Sequence, residues 1–567
     1  MSSVKTFDQV GEQTNNNSEK NEDFYQGKSE YRWLPHLKDA VPPAGQGKRI
    51  STYTVSLEGW RRGLKLRFYS IFEDGNKLKV RYSLSNGKKT HHFSLSMGDR
   101  VSDKAFRICD DKQLTKEYLK KQNVPVPEGY MFDNSASMEE IISHAKRIGF
   151  PLVVKPTDGN AGRGVFANIV DMDNFKEIVE HVRYDLEFEN IIVEKYYPGE
   201  EFRIYVIEDQ VLGAMNRRPA NVVGDGVHTI KQLIDAKNDI RKMNPHLTSR
   251  LTQVDIEVET MLERKGYTIE SVPDKGELVY LREKSNLSQG GDAIDITDQL
   301  TPELEQIAIN AGKAIPGLAH YGVDMIVDSD RNTGVILEVN ARPGLGGHLF
   351  PIQGKPRDFA KKIIDYYFPE TKNIERSPLY FDFDSVIEPI VARSATKVDV
   401  MTLPKGKLYG RKLIVSGDYH RPRFRRWIRR QALKKELHGF TDLLEDGDVV
   451  VIIMGPDKNI VNSFERFCFK GPEKEHVTDV SVSDWNNALL IGFETKHPYK
   501  FTRKEMREIV TEKEQLEKEF NILRKRYKQI EESRAWKATF PIRFILHLFK
   551  KIYRLVRYGR THKELSK

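Results

Sequence analysis

PLVVKPTDGNAGRGV, residues 151–165, is the stretch from which the fold is read. An apolar run delivers Lys155, and Gly159, Gly162 and Gly164 follow at once. A glycine-rich turn lets backbone N–H groups approach a phosphate closely, and a lysine at a strand end brings it a positive charge. The spacing is not the GxxxxGK[ST] of a Walker A loop, and an ordinary β-hairpin would read the same way. A second stretch, ILEVNARPG (336–344), supplies a partner. Strand alternation places Glu338 and Asn340 on one face, where a carboxylate and an amide oxygen suit Mg²⁺ or Mn²⁺ beside nucleotide phosphates. Asp324, in GVDMIVD, offers a third oxygen, although a Glu-x-Asn pair is also common on a solvated strand face.

Working outward, short apolar strands (NIIVEKYY, EFRIYVIED) alternate with helical stretches (SMEEIISHAKRIGF, ELEQIAINAGKAI) from about residue 99 to 375. This is an α+β pattern. Ahead of it, residues 51–98 are expected to form a small β-meander, with turn signals at Asp74-Gly75-Asn76 and Ser85-Asn86-Gly87. Residues 1–50, beginning Asn-, Ser- and Glu-rich, are expected to be disordered. Beyond the α+β unit, 379–487 reads as another compact domain, and 501–532 as a short coiled coil with Ile509, Leu516, Leu523 and Ile530 seven apart. One packed helix would give the same pattern. The segment 536–567 is a basic, amphipathic tail.

Composition excludes several classes. Cys109 and Cys468 are too few for a disulfide framework or thiolate metal site. No apolar run approaches the roughly 20 residues of a membrane-spanning helix, and the N-terminus has no signal-like core, so the cytoplasm is expected. The net charge of +9 is concentrated in the tail, where nine Lys/Arg face one Glu between Lys537 and Lys567. Specific nucleic-acid binding is therefore not expected. The tail either lies on the anionic inner face of the plasma membrane or packs on the coiled coil, which itself offers a route to a homo-oligomer.

In order, Lys112, Lys155 with its glycine loop, Glu194-Lys195-Tyr196-Tyr197, Asp324 and Glu338-x-Asn340 resemble the ATP-grasp ligases. RRPANVVGDGVHTIKQLI (217–234) and SVPDKGELVYLREKSNLSQGGDAIDITD (271–298) are similar to stretches of the subgroup that contains cyanophycin synthetase and bifunctional glutathione synthetase. The Mur-ligase-like half of the one and the glutamate–cysteine ligase half of the other have no counterpart, so neither product is expected. The resemblance implies an ATP- and Mg²⁺-dependent ligase that joins a carboxylate to an amine through an acyl phosphate. Its substrates would be small molecules, peptides or a cell-surface precursor. A non-catalytic ATP-binding scaffold is the alternative.

By the same resemblance, Lys112, Lys155, Gly159, Gly162 and Gly164 would hold the phosphates, Glu194 and Tyr196 would line adenine, and Glu201 would meet the ribose. Asp324, Glu338 and Asn340 would hold the metal. Arg218 and Arg282 would steady the acyl phosphate, Arg282 standing in for an arginine whose usual place is Gly322. Residues 415–485 resemble acylphosphatase, which implies a ferredoxin-like α/β sandwich. Arg425 falls at that family's phosphate-binding position, but His420-Arg421-Pro422-Arg423 crowds the cradle and Leu443 stands where the water-orienting asparagine belongs. The expectation is an inactive module.

Overall fold

The computed structural model describes residues 33–496, apart from 74–76, 158–163, 329 and 474, together with 517, 519–525 and 527–528. Gly159, Gly162, the tail and residues 1–32 lie outside the described residues. Among the C-terminal residues described, the chain is helical, with Phe520, Leu523 and Tyr527 exposed; the rest of the coiled-coil segment lies outside them.

The meander is present but starts later than expected. Strands β1 (Lys65–Glu73), β2 (Lys77–Ser85), β3 (Thr90–Ser94) and β4 (Met97–Gly98) pair antiparallel in sequence. Residues Ile50–Arg61 are a helix instead. Tyr53, Val55, Leu57 and Trp60 point in different directions and are all buried, so this helix carries no one-sided stripe from which its period could be read. Residues 33–49 also differ from the expected disorder: three 3₁₀ turns carry them, and Trp33, Leu34, Leu37 and Ala44 pack into the same core.

A four-stranded sheet follows, built from β5 (Gly129–Phe132), β6 (Leu152–Pro156), β7 (Phe166–Ile169) and β8 (Ile191–Lys195) in the order β5-β8-β6-β7. Next come β9 (Glu200–Ile207), β10 (Gln210–Arg218), β11 (Asn221–Val223), β12 (Leu278–Tyr280), β13 (Asp292–Asp295), β14 (His320–Asp328) and β15 (Thr333–Asn340). Five of them form an antiparallel sheet in the order β13-β10-β9-β14-β15. One face of it buries Phe202, Ile204, Val206, Val323, Met325 and Val327 in a core shared with the helix Pro302–Ala314. Period-two alternation sends Glu201, Arg203 and Asp324 to the other face. Two α+β lobes, each with its own core, thus face one another.

The chain then returns to its beginning. Strand β16 (Leu379–Tyr380), the helix Phe383–Val391 and β17 (Lys397–Asp399) join the N-terminal unit; β17 pairs with β1, Arg67 opposite Asp399. The acylphosphatase-like unit is therefore shorter at its start than 379–487. It holds β18 (Tyr409–Asp418), β19 (His438–Leu443), β20 (Val449–Gly455), β21 (His476–Asp484), β22 (Leu489–Leu490) and β23 (Phe493–Thr495), with helices Arg421–Lys434 and Lys458–Lys470. It runs past 487 because β23 adds parallel to β19, while β22 pairs with β16 of the N-terminal unit. Strands of two or three residues have no period to detect, which hid these connections. Strand β20 is apolar throughout because both faces are covered. Val449, Val451 and Ile453 meet the helices, and Val450, Ile452 and Met454 meet the N-terminal core. Cys109 and Cys468 are both free and buried. No helix among the described residues is long and apolar enough to cross a membrane.

Candidate active site

Three neighbouring strands carry the centre of the site. On β14, Asp324 lies directly opposite Arg203 of β9 on one side and Glu338 of β15 on the other. A register shift after Asp324 sets this pairing, since Met325 next faces Ile336 rather than Leu337. Arg203 grips Asp324 bidentately, Nε–Oδ1 at 2.6 Å and Nη2–Oδ2 at 2.5 Å. From β10, Arg217 Nη1 donates to Glu201 Oε1 at 2.6 Å and to Asp324 Oδ2 at 3.2 Å. Burial raises the pKa of Glu338, and Asp324 beside it adds to the rise. Glu201 is likewise pushed up, first by burial, while Arg217 pulls the other way. Asp324 is held below the usual carboxylate range by Arg203 and Arg217 against its burial.

The opposing lobe supplies Lys155, while Lys112 and Lys116 stand on the helix Lys112–Lys121, which packs in the core beneath β14 and β15. Glu194 on β8, only 2% exposed, receives Lys155 at 2.8 Å and also Lys116 from the helix Lys112–Lys121. Burial and then the charge of Lys112 bring Lys155 down to about 8, against the pull of Glu338. Burial and its lysine neighbours, Lys155 first, lower Lys116 too. Lys155 of one lobe thus sits within electrostatic reach of Glu338 of the other. Gly164, at the end of the glycine loop, has φ +73°, and a Cβ there would meet Phe188 at 2.9 Å, so only glycine fits.

These residues fit a divalent cation. Asp324 and Glu338 are adjacent carboxylates, and Glu338 makes no ion pair among the described residues. Described residues hold no group of three acidic, histidine or cysteine ligands. That suits a cation completed by phosphate oxygens and water rather than a closed protein cage.

Several expected residues are placed elsewhere. Arg282 is turned away: its Nη2 meets Asp255 Oδ2 at 2.6 Å and its Nη1 meets Glu257, at the start of the helix Ile256–Glu263. Arg218 follows Arg217 on β10, so alternation directs it to the other face of the sheet. Beside Gly322, the arginine present is Arg203, whose Cδ would lie 4.0 Å from a Cβ added there. Glu201 pairs with Arg217 next to the metal carboxylates, and Glu194 holds two lysines. Tyr196 is half-buried at the end of β8. Sequence reading missed Arg203, Arg217 and Lys116. Their signals were present: Glu201-x-Arg203 is a same-face strand pair, and Lys112 and Lys116 are four apart on a helix.

In the second domain, Arg425 is 1% exposed and spent on the fold: its guanidinium donates to Thr441 Oγ1 at 3.3 Å, to Thr441 O at 3.1 Å and to Lys496 O. Glu475 accepts from His420 N at 2.7 Å and from Arg423 Nε at 2.5 Å, so a carboxylate of the chain itself sits on the crowded cradle. Leu443 is half-buried at the end of β19.

Residues 109–229 and 276–367 match the RimK-like ATP-grasp domain, and residues 411–495 match acylphosphatase. The chain therefore carries an ATP-grasp domain followed by an acylphosphatase-like domain. Among curated proteins it is similar to cyanophycin synthetase of Trichormus variabilis, 34% identical over 349 residues, which is 60% of this chain and 37% of that one. It is also similar to the glutathione biosynthesis bifunctional protein GshAB of Clostridium perfringens, 32% identical over 332 residues, 56% of this chain and 41% of that one. The crystal structure of a bifunctional glutathione synthetase from Pasteurella multocida aligns at 31% identity and TM-score 0.41, covering 51% of this chain and 40% of that one. The chain spans about two fifths of the length of these curated relatives.

Proposed function

We propose that the chain is an ATP-grasp ligase that phosphorylates a carboxylate and joins it to an amine, releasing ADP and phosphate. The observation that carries this reading is the facing of Lys155 and Lys116, braced by Glu194, against Asp324 and Glu338, flanked by Arg203 and Arg217. A carboxylate is a poor electrophile, and activation transfers the terminal phosphoryl group of ATP to one of its oxygens. Lys155 and Lys112 offset charge on the phosphates, and Asp324, Glu338 and Asn340 are the residues that would hold Mg²⁺, or Mn²⁺ in its place. The cation supplies Lewis-acid stabilisation of the transferring phosphoryl group. Arg203 fixes the Asp324 carboxylate so that it does not rotate as the cation enters. Arg217, bridging Glu201 and Asp324, is placed to meet the acyl phosphate, the role that sequence alone had given to Arg218 and Arg282. The amine then attacks the acyl carbon and phosphate leaves.

The second domain does not take part. Among the described residues, Arg425 is bonded to carbonyls, Glu475 sits on the cradle and leucine stands at 443, which leaves neither an anion-binding geometry nor a group to orient water there. Its use is structural, closing the N-terminal core through β20 and β22. The basic tail and coiled coil would place the ligase on a membrane surface or in an oligomer. Removing everything after Arg534 should then leave turnover unchanged and abolish vesicle association.

The test is carboxylate- and amine-dependent ADP release with Mg²⁺ over a panel of amino acids, dipeptides and sugar acids, beside Glu338→Ala. Turnover that needs one pair of substrates and vanishes in the variant supports the ligase. Nucleotide binding that Glu338→Ala leaves untouched, with no turnover on any pair, supports a scaffold instead.

A further inference from the structure

The acylphosphatase-like sheet is closed on one face by the N-terminal core, and its other face carries the helices Arg421–Lys434 and Lys458–Lys470. The outer sides of these helices meet solvent. The first reads RPRFRRWIRRQALK: seven of its 14 residues are basic and none is acidic. Like charges one turn apart repel and weaken a helix, so folding alone gives no reason for this excess.

Four of the seven are used within the domain. Arg421 Nε donates to Gly447 O at 2.9 Å, and Arg423 Nε donates to Glu475 Oε1 at 2.5 Å. Arg425 is buried against Thr441, and Arg429 Nε donates to Phe493 O at 3.0 Å. Arg426, Arg430 and Lys434 remain. They are four apart, so they form one row along the exposed side of the helix. None of the three makes an ion pair among the described residues, and Arg426 Nε donates to Pro422 O of its own helix at 3.2 Å. Leu433, 44% exposed, stands in the same row between Arg430 and Lys434. The neighbouring helix exposes Lys458, Arg466, Phe469 and Lys470. The acids of this layer are Glu465 on that second helix and Glu436 just past the first.

Two observations favour a lipid surface over a nucleic acid. Leucine and phenylalanine exposed beside cations gain nothing from a phosphate backbone, but they suit the boundary between headgroups and acyl chains. The chain also leaves the domain against this helix. Arg429 bonded to Phe493 O and Arg425 bonded to Lys496 O hold β23 and the residue after it there. The sequence beyond runs on to the basic, amphipathic segment 536–567. A single weak membrane signal binds marginally, and two together bind stably.

We propose that the outer side of the helix Arg421–Lys434 docks on an anionic lipid bilayer as a second contact beside the tail. Arg426, Arg430 and Lys434 meet the headgroup phosphates, and Leu433 enters the interface. This rests on the reading of the tail as a membrane element and is independent of the ligase chemistry. The full chain would be sedimented with vesicles of phosphatidylcholine containing phosphatidylglycerol, and with phosphatidylcholine alone, over a range of salt. Binding to the anionic vesicles alone, falling as salt rises, is expected. Each Lys or Arg near such a surface is worth about fivefold in partitioning, so changing Arg426, Arg430 and Lys434 together to glutamine should weaken it about a hundredfold. Arg426→Lys with Arg430→Lys keeps the charges and should bind like wild type. The triple variant should unfold at or above the wild-type temperature, because it relieves repulsion. If it does not fold, each single change to glutamine must lower partitioning about fivefold for the proposal to stand. A triple variant that binds like wild type overturns the proposal; if removing everything after Arg534 then abolishes binding, the tail reading survives alone. Wild type that shows no preference for anionic vesicles, or that binds duplex DNA more tightly than the vesicles, also overturns it.

Discussion

Replacing Glu338 by glutamine should stabilise the protein without metal and weaken it with Mg²⁺ and nucleotide. Glu338 and Asp324 are cross-strand neighbours, and such pairs hold their Cβ atoms about 4.5–5.5 Å apart. Two unit charges about 5 Å apart at an effective dielectric of about 20 repel by about 3 kcal/mol. Burial adds to this penalty, and Arg203, Lys112 and Arg217 act against both, with the balance still set against the charged form of Glu338. The sign agrees with the titration: a folded pKa raised above the ordinary glutamate value means that ionising Glu338 above that range costs stability, and glutamine does not ionise. Each kcal/mol so gained would raise the midpoint by roughly 2–4 °C if the ATP-grasp domain unfolds as a unit. Losing one of two carboxylate ligands should cost Mg²⁺–nucleotide at least about tenfold in affinity, or about 1.4 kcal/mol of ligand-induced stabilisation. The assay is thermal unfolding of both proteins at pH 7, with and without saturating Mg²⁺ and ATP analogue. The stability order should invert on adding ligand. A variant that is less stable than wild type without metal, yet equally stabilised by Mg²⁺–nucleotide, would refute the assignment of this pair as the cation site.

Lys155, brought to about 8 by burial and Lys112, should take up a proton when the nucleotide phosphates arrive. Nucleotide affinity should therefore fall as pH rises through 8 toward 10, and calorimetry at pH 8.5 in buffers of different ionisation enthalpy should detect net proton uptake. Arg203→Met leaves Asp324 buried with half its partners and should cost about 3–5 kcal/mol in denaturant unfolding; the double change with Asp324→Asn should recover much of that. The full-length protein should not hydrolyse benzoyl phosphate. Arg425→Met should leave ADP release unchanged while destabilising the acylphosphatase-like domain by about 2–4 kcal/mol, since it frees the Thr441 and Lys496 carbonyls.

What the sequence determined by itself is what local rules govern. Alternation placed Glu338 and Asn340 together on one strand, and Ser85-Asn86-Gly87 marked the turn between β2 and β3. These depend on neighbours within a few residues, and the chain writes such neighbours side by side. The tertiary structure decided which charges meet. Arg203 reaches Asp324 and Arg217 reaches both Glu201 and Asp324 because antiparallel register brings β9, β10 and β14 together across more than a hundred residues of chain. By contrast Arg282, in an equally suggestive motif, is carried by β12 and its turn to Asp255 and Glu257. Register also separates Arg217 from Arg218, since one step along a strand changes the face. The helix Ile50–Arg61 escaped notice for the opposite reason: it is enclosed on all sides, and a periodicity can be read only where one side of an element meets water.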